Sequence, residues 1–313
     1  MIATSPRLAC WCGQGSWAVQ FRTPRFGLVR CTACGCYGID PPPIQRDTES
    51  AEFYTEYYAA PDGSNGVGRP AGDPLHRSRY WRVVERVPRL ATAAHAALDV
   101  GCGEGKLCAE LAAANWKHVI GIDVSGSRIA RARQRYPSLT FHDQPIQETG
   151  IPRASLDLVV MDNVLEHLPD PIALLQEMYE FLAPGGSIVL ITPNMESGNF
   201  RLLGRRWTPE LAPHAHVFLY TRASIARLVS RCGFAIDASG TFHVRLRGWR
   251  EWIAPIRAGA PKELLWRALQ GAGDVFGRLI GAGPMLYVVA TRPGRSADGA
   301  GDPPSRVSPD TRS

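Results

Sequence analysis

Residues 98–107 read LDVGCGEGKL and residues 119–125 read VIGIDVS. A short apolar run that ends in alternating glycines and gives way to an amphipathic stretch is a strand turning sharply into a helix. Gly101, Gly103 and Gly105 fall at that turn, where missing side chains let the backbone approach a ligand closely. In an open parallel sheet the ligand lies beyond the carboxyl ends of the strands, where the first strand meets the first helix. Asp123, 18 residues after Gly105 and at the end of the next apolar run, is placed to accept hydrogen bonds from two ribose hydroxyls. Loop and acid together describe a nucleoside pocket. Two phosphate-binding templates fail: GxGxxG begun at Gly101 needs glycine or alanine where Lys106 stands, and a P-loop needs GxxxxGK followed by Ser or Thr.

Outward from this loop the pattern is regular. The runs ALDVG, HVIGID, LTFHD, LDLVVMD and SIVLITPN alternate with the amphipathic stretches KLCAELAAA, SRIARARQRY and PIALLQEMYEFL. Strand then helix, repeated, predicts an α/β fold whose parallel sheet is covered on both faces. SIARLVSRCGF and AIDASGTF supply a further helix and strand, and MLYVVATR a last strand. The expected organisation is 1–45 as a small module ending at Pro41-Pro42-Pro43, 46–95 as an aromatic linker and leading helix, and 96–241 as the core. A Trp/Arg-rich cap or insertion at 242–283, a last core strand at 284–292 and a disordered tail at 293–313 complete it.

Five of the eight cysteines fall within the first 36 residues. Cys10-x-Cys12 and Cys31-x2-Cys34, with 18 residues between the pairs, have the spacing of a four-thiolate zinc ribbon, with reduced unliganded thiols as the alternative. The first pair is tighter than CxxC, which leaves Cys36 as a substitute ligand. Such a site is closed and structural.

The 313 residues are 45% hydrophobic and 20% charged, which excludes wholesale disorder, collagen and coiled coil. Residues 268–290 are broken by Asp274 and Arg278, and MIATSPRLACWCG lacks the features of a secretory signal, so the expectation is a cytoplasmic protein without a transmembrane span. The net charge of +6 is matched by the segment from Glu196 to Arg257, which carries ten arginines against four acids. This basic wall suits an anionic substrate or a solvated surface.

The GxGxG loop before Asp123 resembles the S-adenosylmethionine site of class I methyltransferases. LDLVVMDNVLEHLPDP at 156–171 resembles that family's fourth strand and EHL signature, and LAPGGSIVLITPN at 182–194 its fifth-strand segment. The resemblance implies a Rossmann-like, mostly parallel seven-stranded sheet behind the small N-terminal zinc ribbon. It implies that Asp99, Gly101, Cys102, Gly103 and Gly105 line the amino-acid end of the cofactor, Asp123 its ribose, and Asp143 with Gln144 its adenine edge. The order of ribbon, FYTEYY segment and core, followed by PN, Gly-x-x-Trp and His-x-His-x-Phe between 192 and 234, is similar to bacterial zinc-ribbon methyltransferases of the type 12 group, frequent in glycan and natural-product biosynthesis. The longer sugar C-methyltransferases of that group carry a further C-terminal domain without a counterpart among these motifs.

Methyl transfer to a hydroxyl needs alignment and a base. His167, His214 and His216 are the candidates by position, each also suited to bracing a loop. Glu166 fits an organising role better than that of base, and Asn194 and Arg201 suit either substrate contacts or loop hydrogen bonds. Tyr54, Tyr57 and Tyr58 suit a lid or simple packing. Trp249, Trp252 and Trp266 with Arg245, Arg247, Arg250 and Arg257 suit a packed cap over the site, or weak peripheral membrane contact with a lipid-linked substrate. The expected function is therefore methylation of a small molecule, a hydroxyl of a sugar, glycan-linked or natural-product intermediate. The alternatives are an rRNA or other nucleic-acid methyltransferase and a non-catalytic cofactor-binding interaction protein. Against nucleic acid, the first 50 residues hold only five arginines against three acids.

Overall fold

The computed structural model describes residues 8–43, 96–207, 211–243 and 261–294. The tyrosines at 54, 57 and 58, the leading helix expected within 46–95, Trp249, Trp252, the side chain of Trp266, the arginines at 245–257 and most of the tail lie outside the described residues.

The alternation read from sequence becomes β4 (Ala96–Val100), α1 (Lys106–Ala113), β5 (His118–Ile122), α2 (Gly126–Arg135), β6 (Thr140–His142), β7 (Leu156–Asp162), α3 (Pro171–Phe181) and β8 (Leu182–Pro193). There follow α4 (Gly198–Leu203), α5 (Arg222–Arg231), β10 (Ala235–Phe242), α6 (Pro261–Leu279) and β11 (Met285–Thr291). Seven of these strands form one sheet in the order β10-β11-β8-β7-β4-β5-β6. β8, β7, β4, β5 and β6 are parallel, and β11 runs antiparallel to both β8 and β10. Leu98, Leu158, Val159, Val160, Met161 and Leu190 are fully buried, as expected for central strands covered on both faces. Each such side chain contributes roughly 1.5–3 kcal/mol by leaving water.

Local signals fix the helix starts. Asp170 caps α3 by accepting from the Ala173 amide at 3.0 Å, ahead of Pro171 in the first turn. Thr221 and Ser224 form a reciprocal capping box at α5. α6 crosses α4 where neither backbone carries a side chain: a Cβ on Gly198 would lie 2.4 Å from the Gly277 nitrogen and 2.6 Å from the Gly273 carbonyl oxygen. Asn199 Nδ2 donates to Asp274 Oδ1 at 2.7 Å across the same crossing. The described part of the expected cap is thus a helix seated on the core. No described helix is long and apolar enough to cross a membrane.

The N-terminal strands β1 (Trp17–Arg22), β2 (Gly27–Cys31) and β3 (Tyr37–Asp40) form an antiparallel meander. The meander is not a free-standing module, because its sheet is completed by β9 (Phe218–Leu219), which pairs with β3 from within the core's own chain. Arg231 Nη1 donates to the Cys12 carbonyl and Arg227 Nη1 to the Ala33 carbonyl, each at 2.7 Å. Cys12, Cys31, Cys34 and Cys36 belong to the same apolar cluster as Leu98, Met161 and Leu190.

Candidate functional site

The glycine loop follows β4 and is pinned to the end of β5: the Gly101 and Cys102 amides donate to the Ile122 carbonyl at 2.8 and 3.0 Å. Gly101, Gly103 and Gly105 take φ of 73°, 57° and 78°, the left-handed region that an L side chain avoids. Space is also taken by the protein itself. A Cβ on Gly101 would lie 2.6 Å from Val164 Cγ2, and one on Gly105 2.6 Å from the Phe141 ring. The glycines thus serve the packing of the loop on its neighbours, a requirement the sequence reading had assigned to ligand approach alone.

Asp123, directly after β5, is 9% exposed. Its Oδ2 accepts from the Gly103 amide at 2.9 Å and its Oδ1 from the Ser125 amide at 2.8 Å. Arg128 Nη1 stands 3.6 Å from Oδ2, and its guanidinium lies against Gly103. A carboxylate has about four lone-pair sites, so two amides leave capacity for a pair of hydroxyls. Asp99 lies inside β4, next to Cys108 Sγ at 3.6 Å; burial, then the nearby Asp162, pushes its carboxyl well above the usual range. Cys102 is buried beside the loop. Asp143 and Gln144 follow β6 and are exposed. Asp143 pairs with Arg133 at 3.1 Å and stands near Gly126, while Gln144 Nε2 donates to the Glu148 carbonyl at 2.6 Å. The structure therefore gathers the loop, Asp123 and Asp143 along the carboxyl ends of β4, β5 and β6, with Asp99 buried in β4 near enough to feel the charges of Asp123 and Arg128.

Beyond the end of β7 the chain makes a short turn, Leu165–His167, and meets the loop that follows α4. His167 Nδ1 bonds to the Ala215 carbonyl at 3.1 Å, and the His167 and His216 rings meet edge-on with centroids 4.8 Å apart. His214 is exposed beside this pair and disfavours charge on both. Burial, with the neighbouring imidazoles, lowers His167 to about 4 and His216 well below its ordinary value, so both are neutral at pH 7. Glu166 is wholly buried: Thr192 Oγ1 donates to its Oε2 at 3.0 Å, and burial raises its carboxyl to about 8. Asn194 lies in structural bonds, giving to the Gly283 carbonyl at 2.7 Å and accepting from the Glu196 amide at 2.9 Å, which supports the loop alternative for it. Arg201 is exposed on α4. Arg227 and Arg231, two of the ten arginines of the basic segment, are engaged by the N-terminal meander.

Cys10, Cys12, Cys31 and Cys34 bring their sulfurs within 4.8 Å of one another, with Cys10–Cys34 at 3.5 Å and Cys12–Cys31 at 3.6 Å. Four thiolates at about 2.3 Å around one ion lie about 3.8 Å apart, so this set fits a tetrahedral metal. Within the Cys10–Cys34 pair, Cys10 is pushed up by its hydrogen bond to Cys34, and Cys34 down by the same bond. Cys36 lies outside this set but beside it: its thiol touches Cys34 and reaches the Tyr37 and Leu219 carbonyls, and burial pushes it up.

Sequence reasoning missed Arg128, Ser125, Thr192 and Asn163. Asn163, directly after β7, has φ of 51°, and an asparagine tolerates that region best among residues with side chains; its position at a strand end was a usable signal. Nothing local marked Thr192.

Residues 75–239, more than half of the chain, match a family model described as a methyltransferase domain. A probable S-adenosylmethionine-dependent methyltransferase of Mycolicibacterium smegmatis is 34% identical over 54% of this chain and 61% of its own length. The chain thus spans under two thirds of that relative. Trans-aconitate 2-methyltransferase of Methylobacterium nodulans is 29% identical over 72% of this chain and 93% of its own. A ubiquinone biosynthesis O-methyltransferase of Aromatoleum aromaticum is 29% identical over 51% of this chain and 72% of its own. Among solved structures, the [4+2]-cyclase SpnF covers 81% of this chain and 98% of itself with a TM-score of 0.54 at 15% identity. That likeness concerns the fold alone. The sheet order, the glycine loop with its bound aspartate and the match over residues 75–239 agree, and the chain belongs to the methyltransferase-domain family.

Proposed function

We propose that the chain transfers a methyl group from S-adenosylmethionine to an oxygen of a small-molecule acceptor, and that Cys10, Cys12, Cys31 and Cys34 hold one structural zinc ion. The observation that carries the first part is Asp123, held by the Gly103 and Ser125 amides at the mouth of the glycine loop with lone pairs to spare for two ribose hydroxyls. The cofactor, when bound, supplies an electrophilic methyl group on a sulfonium. The chain's part is to orient and to manage a proton. Within the loop the Gly101 backbone is exposed and Cys102 is buried, and Asp143 with Gln144 offers polar groups along the exposed edge after β6. His167, His214 and His216 stand together at the acceptor end, and the exposed His214 is the one that can pass a proton to water.

The small acceptor is supported by the names of the trans-aconitate and ubiquinone relatives. A sugar or glycan-linked acceptor rests only on the resemblance to the type 12 group. The zinc reading rests on the sulfur spacing and on the burial of three of the four cysteines, which suits a closed site.

Calorimetry with S-adenosylhomocysteine, followed by methyl release onto a panel of carboxylic acids, phenols and nucleotide sugars, tests the proposal. Binding with turnover on one class establishes the acceptor. A folded chain that takes up no cofactor refutes the reading. Binding without turnover on any acceptor would favour a non-methylating role, for which the fold's occurrence in a cyclase is a precedent.

A further inference from the structure

We infer that Glu166, His167 and His216 form a second metal site, for a divalent transition-metal ion that takes nitrogen and oxygen ligands, where the turn after β7 meets the loop that follows α4. One ligand atom from each residue lies within 4.8 Å of the others. Ligands around an ion with bonds of about 2.0–2.2 Å lie about 3–4.4 Å apart, so the three need to draw in only slightly.

The orientation of each group is what separates this cluster from an ordinary buried polar network. Glu166 has Oε2 tied to Thr192, while Oε1 is buried with no hydrogen-bond partner. His216 likewise has its Nδ1 buried with no hydrogen-bond partner. A proton shared between Glu166 and His216 would join these two atoms directly, yet no hydrogen bond connects them. His167 gives its Nδ1 proton to the Ala215 carbonyl, which places its lone pair on Nε2. Metal-ligating histidines and carboxylates are held in this way, one atom bonded outward and the other turned to the ion. The backbone is fixed as well: the Val217 amide donates to the Glu166 carbonyl at 2.8 Å and the His216 amide to the Ala212 carbonyl at 2.9 Å.

Two imidazoles and one carboxylate favour first-row divalent ions, and a three-ligand set leaves coordination positions open. Val164, two residues before Glu166, lies against Gly101, so the cluster adjoins the glycine loop. The role of the ion rests on the proposed methyl transfer; its binding does not. Held by these three residues, such an ion would supply Lewis-acid activation of an acceptor hydroxyl, whose proton would pass to solvent. The oxygen–carbon bond then forms as the sulfur–carbon bond breaks, leaving the neutral thioether S-adenosylhomocysteine.

The test uses the full chain with its zinc content measured, titrated with Co(II) by calorimetry and visible absorption. The expected result is one Co(II) taken up per chain without a sulfur-to-cobalt charge-transfer band, or a second zinc already present and exchangeable for Co(II). Affinity should fall at least about tenfold in Glu166→Gln and in His216→Asn, and in Thr192→Val, which removes only the outer hydrogen bond. Variant folding is checked by circular dichroism. No uptake, uptake with the sulfur band alone, or unchanged affinity in the folded variants would overturn the site. S-adenosylhomocysteine affinity, measured separately, reports on the methyl-transfer reading, so the two can fail independently.

Discussion

The two clusters of metal-capable side chains differ in how they are built. Cys10, Cys12, Cys31 and Cys34 come from neighbouring stretches of one meander, carry four soft sulfurs and are shut from water apart from the half-buried Cys10. Glu166, His167 and His216 come from two loops about 50 residues apart, carry mixed oxygen and nitrogen donors, and have the exposed His214 beside them. A local, symmetrical set is a means of folding. A set assembled across the carboxyl edge of the sheet, beside the glycine loop, is placed for chemistry. The first cluster also reaches the second: β9, which completes the meander, begins two residues after His216.

If that contrast is right, the largest effect belongs to the ribbon. Cys31→Ser should cost more than about 4 kcal/mol of stability in thermal or denaturant unfolding and abolish zinc binding, since loss of a structural ion falls among the few changes of that size. Retention of both zinc and stability would show that the cluster does not hold the fold. Next, Asp123→Ala should weaken S-adenosylhomocysteine binding by at least about 1.4 kcal/mol, roughly tenfold, because a charged ribose acceptor is lost while the glycine loop also loses its anchor. Calorimetry showing equal affinity would remove the ribose assignment.

Arg231→Ala tests the coupling between the regions. It deletes a charged hydrogen bond to the Cys12 carbonyl and should cost about 1 kcal/mol in global unfolding. The same substitution should leave zinc stoichiometry intact. Smallest of all is the effect of Cys36→Ala on metal content, which should remain unchanged by elemental analysis, since the Cys36 sulfur touches Cys34 but lies outside the four-sulfur set. A drop in zinc would instead make Cys36 a ligand and reopen the choice within the first pair.

Much of this molecule was legible along the chain because its decisive signals are local. The strand-glycine-helix turn at 98–107, the acid 18 residues on and the two cysteine pairs each depend on spacing within a few dozen residues. Period and spacing therefore predict a parallel sheet and a glycine loop after its first core strand. His216 was readable as a candidate but not as a partner of His167, because their meeting depends on how one loop folds over the end of β7. The dual role of the loop glycines was hidden for the same reason: Val164 and Phe141 reach them from other strands.

What the sequence determined by itself was the family of the fold, the glycine loop and the four-sulfur cluster, because hydrophobic period, glycine placement and cysteine spacing are properties of contiguous chain. Only the tertiary structure decided that the meander shares a sheet with residues 218–219, that Arg227 and Arg231 serve its carbonyls, and that Glu166 and His216 each bury an unpartnered atom in one place. Those facts depend on which distant segments pack together, and burial and hydrogen-bond satisfaction exist only once they have.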